Sequence, residues 1–379
     1  MFSTTNNITK LVYRPDKGRR TFMKALVIGG TGPTGPYVVE GLLKKGYDVA
    51  ILHRGLHEVE YSQPVEHIHI DPFAPDAMEN LGSRKFDLVV SMYGRLRQIA
   101  VGMKGRTPRF LGVTGPAYLG SNNPADNPDG LLMPIPENAP VINDPNIFKI
   151  GYLIVASEQE VMRLHQLGEY NATLFRYPMI YGPRQLPPKE WSIIRRILDK
   201  RDKLLIPDGG LVMRSRAYAE NAAHALLLAI DYPESGGQIY NVAEERTLTL
   251  REWVETIAHE MGHNFEFVDL PWALAKPCHM WATSERHVVL DNTKIKKELG
   301  YRDVVPAKEG LKRTVHWFLQ HPPESGGEIE QQLRDPFRYD IEDKIIQECE
   351  KAYTSIQGVS FIIEEKKYGY ADPRAPKKP

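Results

Sequence analysis

Residues 24–46 constrain the fold of this chain more than any other stretch. Ala25-Leu26-Val27-Ile28 is a short apolar run, as expected of a strand covered on both faces. It leads directly into Gly29-Gly30-Thr31-Gly32-Pro33-Thr34-Gly35, with glycines at 29, 32 and 35. Residues 36–45 follow, with Val38, Val39, Leu42 and Leu43 at helical spacing, and Gly46 ends the helix. A buried strand, a glycine turn and a helix in that order suit a dinucleotide diphosphate. The first glycine permits the tight turn, the second lets a diphosphate approach the backbone, and the third lets helix and strand pack closely. The helix N-terminus adds positive dipole.

The rest of the N-terminal half repeats the alternation. Strands are expected at 48–53, 67–71, 86–91, 110–114 and 172–177, with a helix at 152–167 and a Pro/Asn/Asp-rich surface loop at 120–145. This pattern predicts a parallel α/β sheet. Beyond Gly182-Pro183 a basic helix is expected at 191–203. A second is expected from Thr249, with Glu252 as capping-box partner and Gly262 as its stop. A charged helix at 339–352 precedes a Pro/Lys tail. The expected organisation is an extension over 1–22, a dinucleotide-binding domain over 23–183, a mainly substrate-binding lobe over 184–320 and a C-terminal extension over 321–379. Residues 1–22 are basic but lack the amphipathic stripe of a transit peptide, and Met23 is a second possible start.

Composition narrows the function classes. Lys plus Arg equals Asp plus Glu at 48 each, so the bulk positive field of a nucleic-acid binder is missing. At 42% hydrophobic residues the chain has material for a core, unlike a disordered one. Two cysteines, Cys278 and Cys349, neither staple a secreted scaffold nor form a zinc cluster. The longest apolar stretch, Ala222–Ile230, is too short for a bilayer. The expectation is a cytoplasmic enzyme acting on a small molecule, with no nucleic-acid or membrane partner and with a homodimer as a compatible assembly.

The second strand ends His53-Arg54-Gly55, without the acid that grips a ribose 2′-hydroxyl. Arg54 suits a 2′-phosphate, which favours NADP over NAD. Asp71 either accepts from the adenine amino group or caps the next helix.

Several segments in the right order resemble the extended short-chain dehydrogenase/reductases, the group that includes sugar epimerases and dehydratases. They are Gly29–Gly35, Pro136–Pro140, Arg176-Tyr177-Pro178-Met179-Ile180-Tyr181-Gly182-Pro183-Arg184, Arg214–Ala223, Tyr240-Asn241-Val242 and Leu299-Gly300-Tyr301 with Glu309-Gly310, spanning about residues 24–319. The resemblance implies a Rossmann-type doubly wound sheet with a smaller C-terminal substrate lobe. It also implies catalysis by a Ser or Thr, a Tyr that exchanges a proton with the carbonyl or alcohol, and a Lys that lowers the phenol pKa. The hydroxyl position maps to Thr114, with Tyr118 four residues later. The tyrosine maps to Tyr152, with the expected acid at Glu160. The lysine position holds Ala156. Atypical enone reductases of the superfamily take a lysine from the end of the fifth strand, where this chain has Pro116 and Ala117. Lys149, Arg95 and Arg97 are the candidates to supply the missing charge.

The resemblance and the residue reading together name Thr114, Lys149 and Tyr152 as catalytic candidates. Cofactor candidates are Gly29, Thr31, Gly32, Pro33, Thr34, Gly35, His53, Arg54, Asp71, Tyr93, Gly94, Tyr152, Tyr177, Pro178 and Ile180. Substrate candidates are Arg95, Arg97, Tyr118, Tyr181, Arg184 and Arg214, the last at the position where sugar-nucleotide members hold a diphosphate. The expected activity is NADP-dependent oxidoreduction of a small carbonyl, alcohol or enone. The alternatives are epimerisation or dehydration with tightly held cofactor, and a non-catalytic nucleotide sensor or scaffold.

No metal site is expected. His259-Glu260-Met261-Gly262-His263 spells a zinc-protease signature, but Gly262 interrupts the helix that chemistry needs. Asn7-Ile8-Thr9 and Asn171-Ala172-Thr173 are glycosylation sequons by spelling alone. Trp272, Met280 and Trp281 read as packing rather than pocket.

Overall fold

The computed structural model describes residues 23–92, 94–282 and 285–359. The extension over 1–22, Tyr93 and the tail from 360 therefore lie outside the described residues, as does the side chain of Met280. In chain order the first elements are β1 (Lys24–Ile28), α1 (Gly35–Lys44), β2 (Asp48–His53), β3 (Glu66–His69), β4 (Leu88–Ser91), α2 (Leu96–Gly102), β5 (Arg109–Thr114), α3 (Lys149–Gln166) and β6 (Asn171–Arg176). There follow β7 (Met179–Tyr181), α4 (Lys189–Leu198), β8 (Lys203–Pro207), β9 (Arg216–Tyr218), α5 (Ala219–Asp231), β10 (Gln238–Asn241), α6 (Leu250–Glu260), β11 (Glu266–Leu270), α7 (His279–Ala282), α8 (Thr293–Leu299), α9 (Ala307–Gln320), α10 (Glu328–Leu333) and α11 (Tyr339–Gln357).

Seven strands form one parallel sheet in the order β10-β6-β5-β4-β1-β2-β3. Chain order reverses between β1 and β4, which opens a crevice at the carboxyl ends of those strands. Alternation along β1 feeds two cores. Ala25 and Val27 pack with Val38, Val39 and Leu42 of α1 and with Ala222, Ala225 and Leu226 of α5. Leu26 and Ile28 face Ile99 of α2 and Val161 and Leu164 of α3. Gly41 lets α1 and α5 meet closely, since a Cβ there would lie 2.3 Å from Leu227 Cδ1.

The lobe has its own core. Trp191, Ile193 and Ile194 of α4, Trp253 and Ile257 of α6, and Leu311 and Phe318 of α9 surround the parallel pair β8–β11. Leu333 and Ile346 belong to the same cluster, so residues 321–359 continue the lobe. Polar contacts bind them there. Arg196, 1% exposed, donates to Asp335 Oδ2 at 2.6 Å and Glu342 Oε1 at 2.5 Å. Trp191 Nε1 and Arg195 Nη1 both donate to Glu330 Oε1 at 2.8 Å.

Several expected boundaries move. The helix expected over 191–203 spans 189–198, because the chain must turn at Lys200 (φ 57°) to deliver β8 to β11. The helix from Tyr339 runs to Gln357 rather than 352. Residues 71–83 form turns rather than a helix. The capping box at Thr249 and Glu252 forms as read, and Gly262 (φ 66°) follows the helix end at Glu260.

Arg196→Ala leaves Asp335 and Glu342 buried without their cation and should cost about 3–5 kcal/mol in urea unfolding. Arg338→Ala, which removes only the exposed pair with Asp340, should leave the midpoint unchanged.

Candidate functional site

The glycine turn has the geometry its sequence predicts. Gly29 takes φ 95°, where a side chain would be strained. A Cβ on Gly35 would lie 2.0 Å from Gly30 O, so this glycine lets α1 start against the end of β1. A Cβ on Gly32 would meet nothing nearer than Gly29 O at 3.7 Å, so that face of the turn is open. The first turn of α1 carries no acid, and its N-cap Thr34 is committed to Met92 Sδ at 3.4 Å. These residues fit a diphosphate: a smooth backbone surface, an uncompensated helix N-terminus and no competing carboxylate.

The turn opens on a cavity of about 650 Å³. Gly29, Thr31, Gly32, Pro33, His53, Arg54, Glu58 and Met92 line one part of it. Arg184, Trp317, His321, Pro323 and Ile329 form the other. The Arg184 guanidinium lies 4.8 Å from the Trp317 ring centroid, and Trp317 stacks on His321 at 3.8 Å. Met92 and the wall beyond Trp317 were not legible in the sequence, because residues some 290 positions away carry no local signal of the turn they face. Arg184, expected at the substrate, lines the cavity at the glycine turn. Arg54 is exposed at the end of β2, and no acid takes its place. Asp71 Oδ1 accepts from Phe73 N at 2.9 Å, so it caps a turn; the helix it was expected to cap does not form.

The catalytic candidates stand at another part of the sheet edge and do not line this cavity. Thr114 ends β5, and Lys149 and Tyr152 open α3, both exposed to solvent. Thr114 Oγ1 donates to Glu158 Oε1 at 2.8 Å. Glu158, buried on α3, is gripped by Arg176 Nε at 2.9 Å and Nη2 at 2.7 Å. The Thr114 proton therefore points at a carboxylate, and the hydroxyl has only lone pairs for anything else that approaches it. Glu158 was missed because a lone acid in a helix gives no sign of burial. Ala156 supplies no cation, as the sequence states.

Several candidates are corrected. Tyr118 is fully buried, and its hydroxyl donates to Asn241 Oδ1 at 2.6 Å while accepting from Arg176 Nη1 at 2.9 Å. It braces the core and has no surface for substrate. Tyr177 donates to Ala222 O at 2.6 Å, so its ring faces inward, beside the half-buried Pro178 and Ile180. Tyr181 donates to Glu244 Oε1 at 2.5 Å and sits deep under α9. Arg97 lines a separate groove with Pro72, Pro75 and Met78, and Arg95 lies over the Phe73 ring at 5.3 Å. Both are drawn outward, away from the turn, because the 72–79 segment packs beside α2; exposed Gly94 precedes them. Arg214 lies beside Arg216, Tyr181 and Glu244 in a small lobe cavity distinct from the one at the glycine turn. His259 and His263 fall on either side of the α6 terminus, and Glu260 pairs with His316 at 2.8 Å, so they share no helix face.

Burial pushes the Glu244 carboxyl up to about 8 from 4.5. The folded state then holds a proton that the unfolded chain has released, so this site makes stability fall as pH rises from about 4.5 to about 8. Glu244→Gln should flatten that part of the stability profile measured by urea unfolding. Gly35→Ala should abolish folding or nucleotide binding outright. Gly32→Ala should fold normally, with dinucleotide affinity reduced at least about tenfold in a fluorescence titration.

Comparison with known proteins agrees with this geometry. The family model "NAD dependent epimerase/dehydratase family" matches residues 25–107 and 151–243. A putative UDP-glucose 4-epimerase of Methanocaldococcus jannaschii is 24% identical over 316 residues, 77% of this chain and 97% of that one. A UDP-N-acetyl-alpha-D-glucosaminuronate decarboxylase of Bacillus cytotoxicus is 23% identical over 327 residues, 78% of this chain and 98% of that one. The crystal structure of a UDP-glucose 4-epimerase from Thermotoga maritima, with UDP-glucose, superposes with TM-score 0.63 at 20% identity, over 79% of this chain and 100% of that one. A UDP-glucuronic acid 4-epimerase from Bacillus cereus, in complex with NAD, superposes with TM-score 0.61 at 17% identity, over the same shares. With its seven-stranded parallel sheet and glycine turn, the chain belongs to the NAD-dependent epimerase/dehydratase family of the extended short-chain dehydrogenase/reductases.

Proposed function

We propose that this chain holds a nicotinamide dinucleotide across the 650 Å³ cavity and is an epimerase or dehydratase acting on a nucleotide-linked sugar. The observation that carries this reading is the Gly29–Gly35 turn. It is bare of acids, open at Gly32, and set where the strand order reverses. The cofactor's contribution when bound is to accept a hydride and return it. The chain's part is to hold and move protons. Tyr152 exchanges a proton with the substrate hydroxyl or carbonyl. Thr114, its own proton committed to Glu158, accepts from the phenol or the substrate hydroxyl. Lys149, one helical turn before Tyr152, supplies positive charge in place of the lysine that Ala156 replaces. The lobe wall at Trp317, His321 and Ile329 faces the glycine turn, which supports a cofactor retained through the cycle.

A second reading is NADP-dependent net reduction or oxidation of a small carbonyl, alcohol or enone. Arg54, exposed on the cavity wall immediately after β2, favours it.

Purified protein, denatured and analysed by mass spectrometry, should release NAD under the first reading; NADP would support the second. With UDP-sugars, NMR should reveal an isomerised or dehydrated product without net change in nicotinamide absorbance. A stoichiometric absorbance change would overturn the first reading in favour of the second. Tyr152→Phe should lower kcat by at least about 100-fold with the fold intact. Unchanged turnover would remove Tyr152 from the mechanism.

A further inference from the structure

Strands β2 and β3 bring three histidines and a glutamate to one point at the sheet edge. His67 and His69, two residues apart, share one face of β3, while Ile68 between them packs toward the core. His53 is the register partner of His69, and the loop after β2 returns Glu58 over all three rings. The rings stand nearly perpendicular to one another: His53 to His67 at 75°, His53 to His69 at 84° and His67 to His69 at 89°. The rings therefore meet edge to face and do not stack. One ligand atom from each of the four residues lies within 4.8 Å of every other.

Individual separations are 3.2 Å for His53 Nε2 to His67 Nδ1, 2.7 Å for His67 Nδ1 to Glu58 Oε2, 3.2 Å for His69 Nε2 to Glu58 Oε1 and 4.0 Å for His53 Nε2 to Glu58 Oε2. Four ligands at the usual zinc bond lengths of about 2.0–2.1 Å stand roughly 3.3 Å apart at the corners of a tetrahedron. The observed separations straddle that value.

Without a cation the protons conflict. Glu58 Oε2 takes the proton of His67 Nδ1. Gly55 N–H donates to His53 Nδ1 at 3.2 Å, so neutral His53 carries its proton on Nε2. Two N–H groups then face each other across the 3.2 Å from His53 Nε2 to His67 Nδ1. A divalent cation replaces both protons with one shared positive centre. In exchange it displaces the Gly55 contact, made by an exposed glycine at φ 75° that is free to turn away. Access is open as well: His53 is buried at the bottom, and Glu58 and His69 are more than half exposed at the mouth.

We propose that His53, Glu58, His67 and His69 form a divalent transition-metal site of the zinc class on the β2–β3 edge. Three neutral nitrogens and one carboxylate suit zinc over calcium or magnesium, which prefer all-oxygen shells. His53 and Glu58 also border the dinucleotide cavity beside Arg54, so a bound cation turns a carboxylate-bearing edge into a positive one. The site itself does not depend on the dinucleotide reading.

The test uses the full chain stripped with a chelator, without nucleotide, titrated with Zn²⁺ by calorimetry and with Co²⁺ by visible absorption. One equivalent of zinc should bind, and cobalt should give the intense bands of a tetrahedral site. The double variant His67→Ala/His69→Ala should lose affinity at least about 100-fold, since half the ligand set is gone. Glu58→Gln, an exposed loop change that leaves the sheet intact, should weaken binding roughly tenfold and serves if the double variant misfolds. Absence of saturable one-to-one binding by the unmodified chain overturns the proposal. So does equal binding by the variants, which would place the zinc elsewhere. Because nucleotide is absent throughout, neither result bears on the cofactor reading.

Discussion

The buried ion pair between Arg176 and Glu158 is the contact around which the sheet edge is organised. Arg176 ends β6 and Glu158 lies on α3, and the bidentate pairing fixes helix against strand. Glu158 reaches on to Thr114 at the end of β5, and Arg176 reaches on to Tyr118 and to Glu137 O. Asn241 of β10 accepts from Tyr118 and donates its backbone N–H to Glu137 Oε1. One arginine thus ties together three neighbouring strands, helix α3 and the loop over the sheet. Desolvation works against the charge, but the carboxylate and the Tyr118 hydroxyl hold the guanidinium pKa above its ordinary value. Removing either partner would strand a charge in the core, which is why such a pair specifies an arrangement more than it stabilises one.

A second buried arginine does comparable work in the lobe. Arg196 on α4 holds Asp335 and Glu342, and so fastens the segment after α9 onto the α4 face. That attachment carries Pro323 and Ile329 to the cavity wall opposite the glycine turn. The segment beyond residue 320 therefore helps shape the cavity at the glycine turn. Its buried carboxylates Glu330, Asp335 and Glu342 and its apolar residues Leu333 and Ile346 were written in the sequence, but their partners lie some 140 positions earlier, and charge alone does not say which acids are buried.

What could be read from the chain was what local chemistry enforces. The strand–turn–helix at 24–45, the capping box at Thr249 and the stop at Gly262 each depend on residues within a few positions of one another. Their geometry follows from sterics and nearby hydrogen bonds. Tyrosines were misread for the opposite reason. Tyr118, Tyr177 and Tyr181 look like a cleft's furniture in one dimension, yet each hydroxyl finds a buried acceptor from a distant element and each ring is drawn inward. The cluster at His53, Glu58, His67 and His69 went unnoticed because its order depends on strand register. Only the pairing of His53 with His69 brings the loop glutamate over all three rings.

The sequence by itself determined that this chain folds around a parallel sheet with a glycine turn between its first strand and first helix. It determined too that the lysine expected beside Tyr152 is an alanine. Apolar runs, glycines and caps act through neighbouring backbone, so spacing suffices to define them. Tertiary structure alone decided which polar groups are spent within the core and which face open space. It joined Thr114 to Glu158, brought Arg184 to the glycine turn, and gathered three histidines at a sheet edge. Those outcomes depend on strand register and on contacts between residues far apart in the chain, and burial assigns the partners only once the elements have packed.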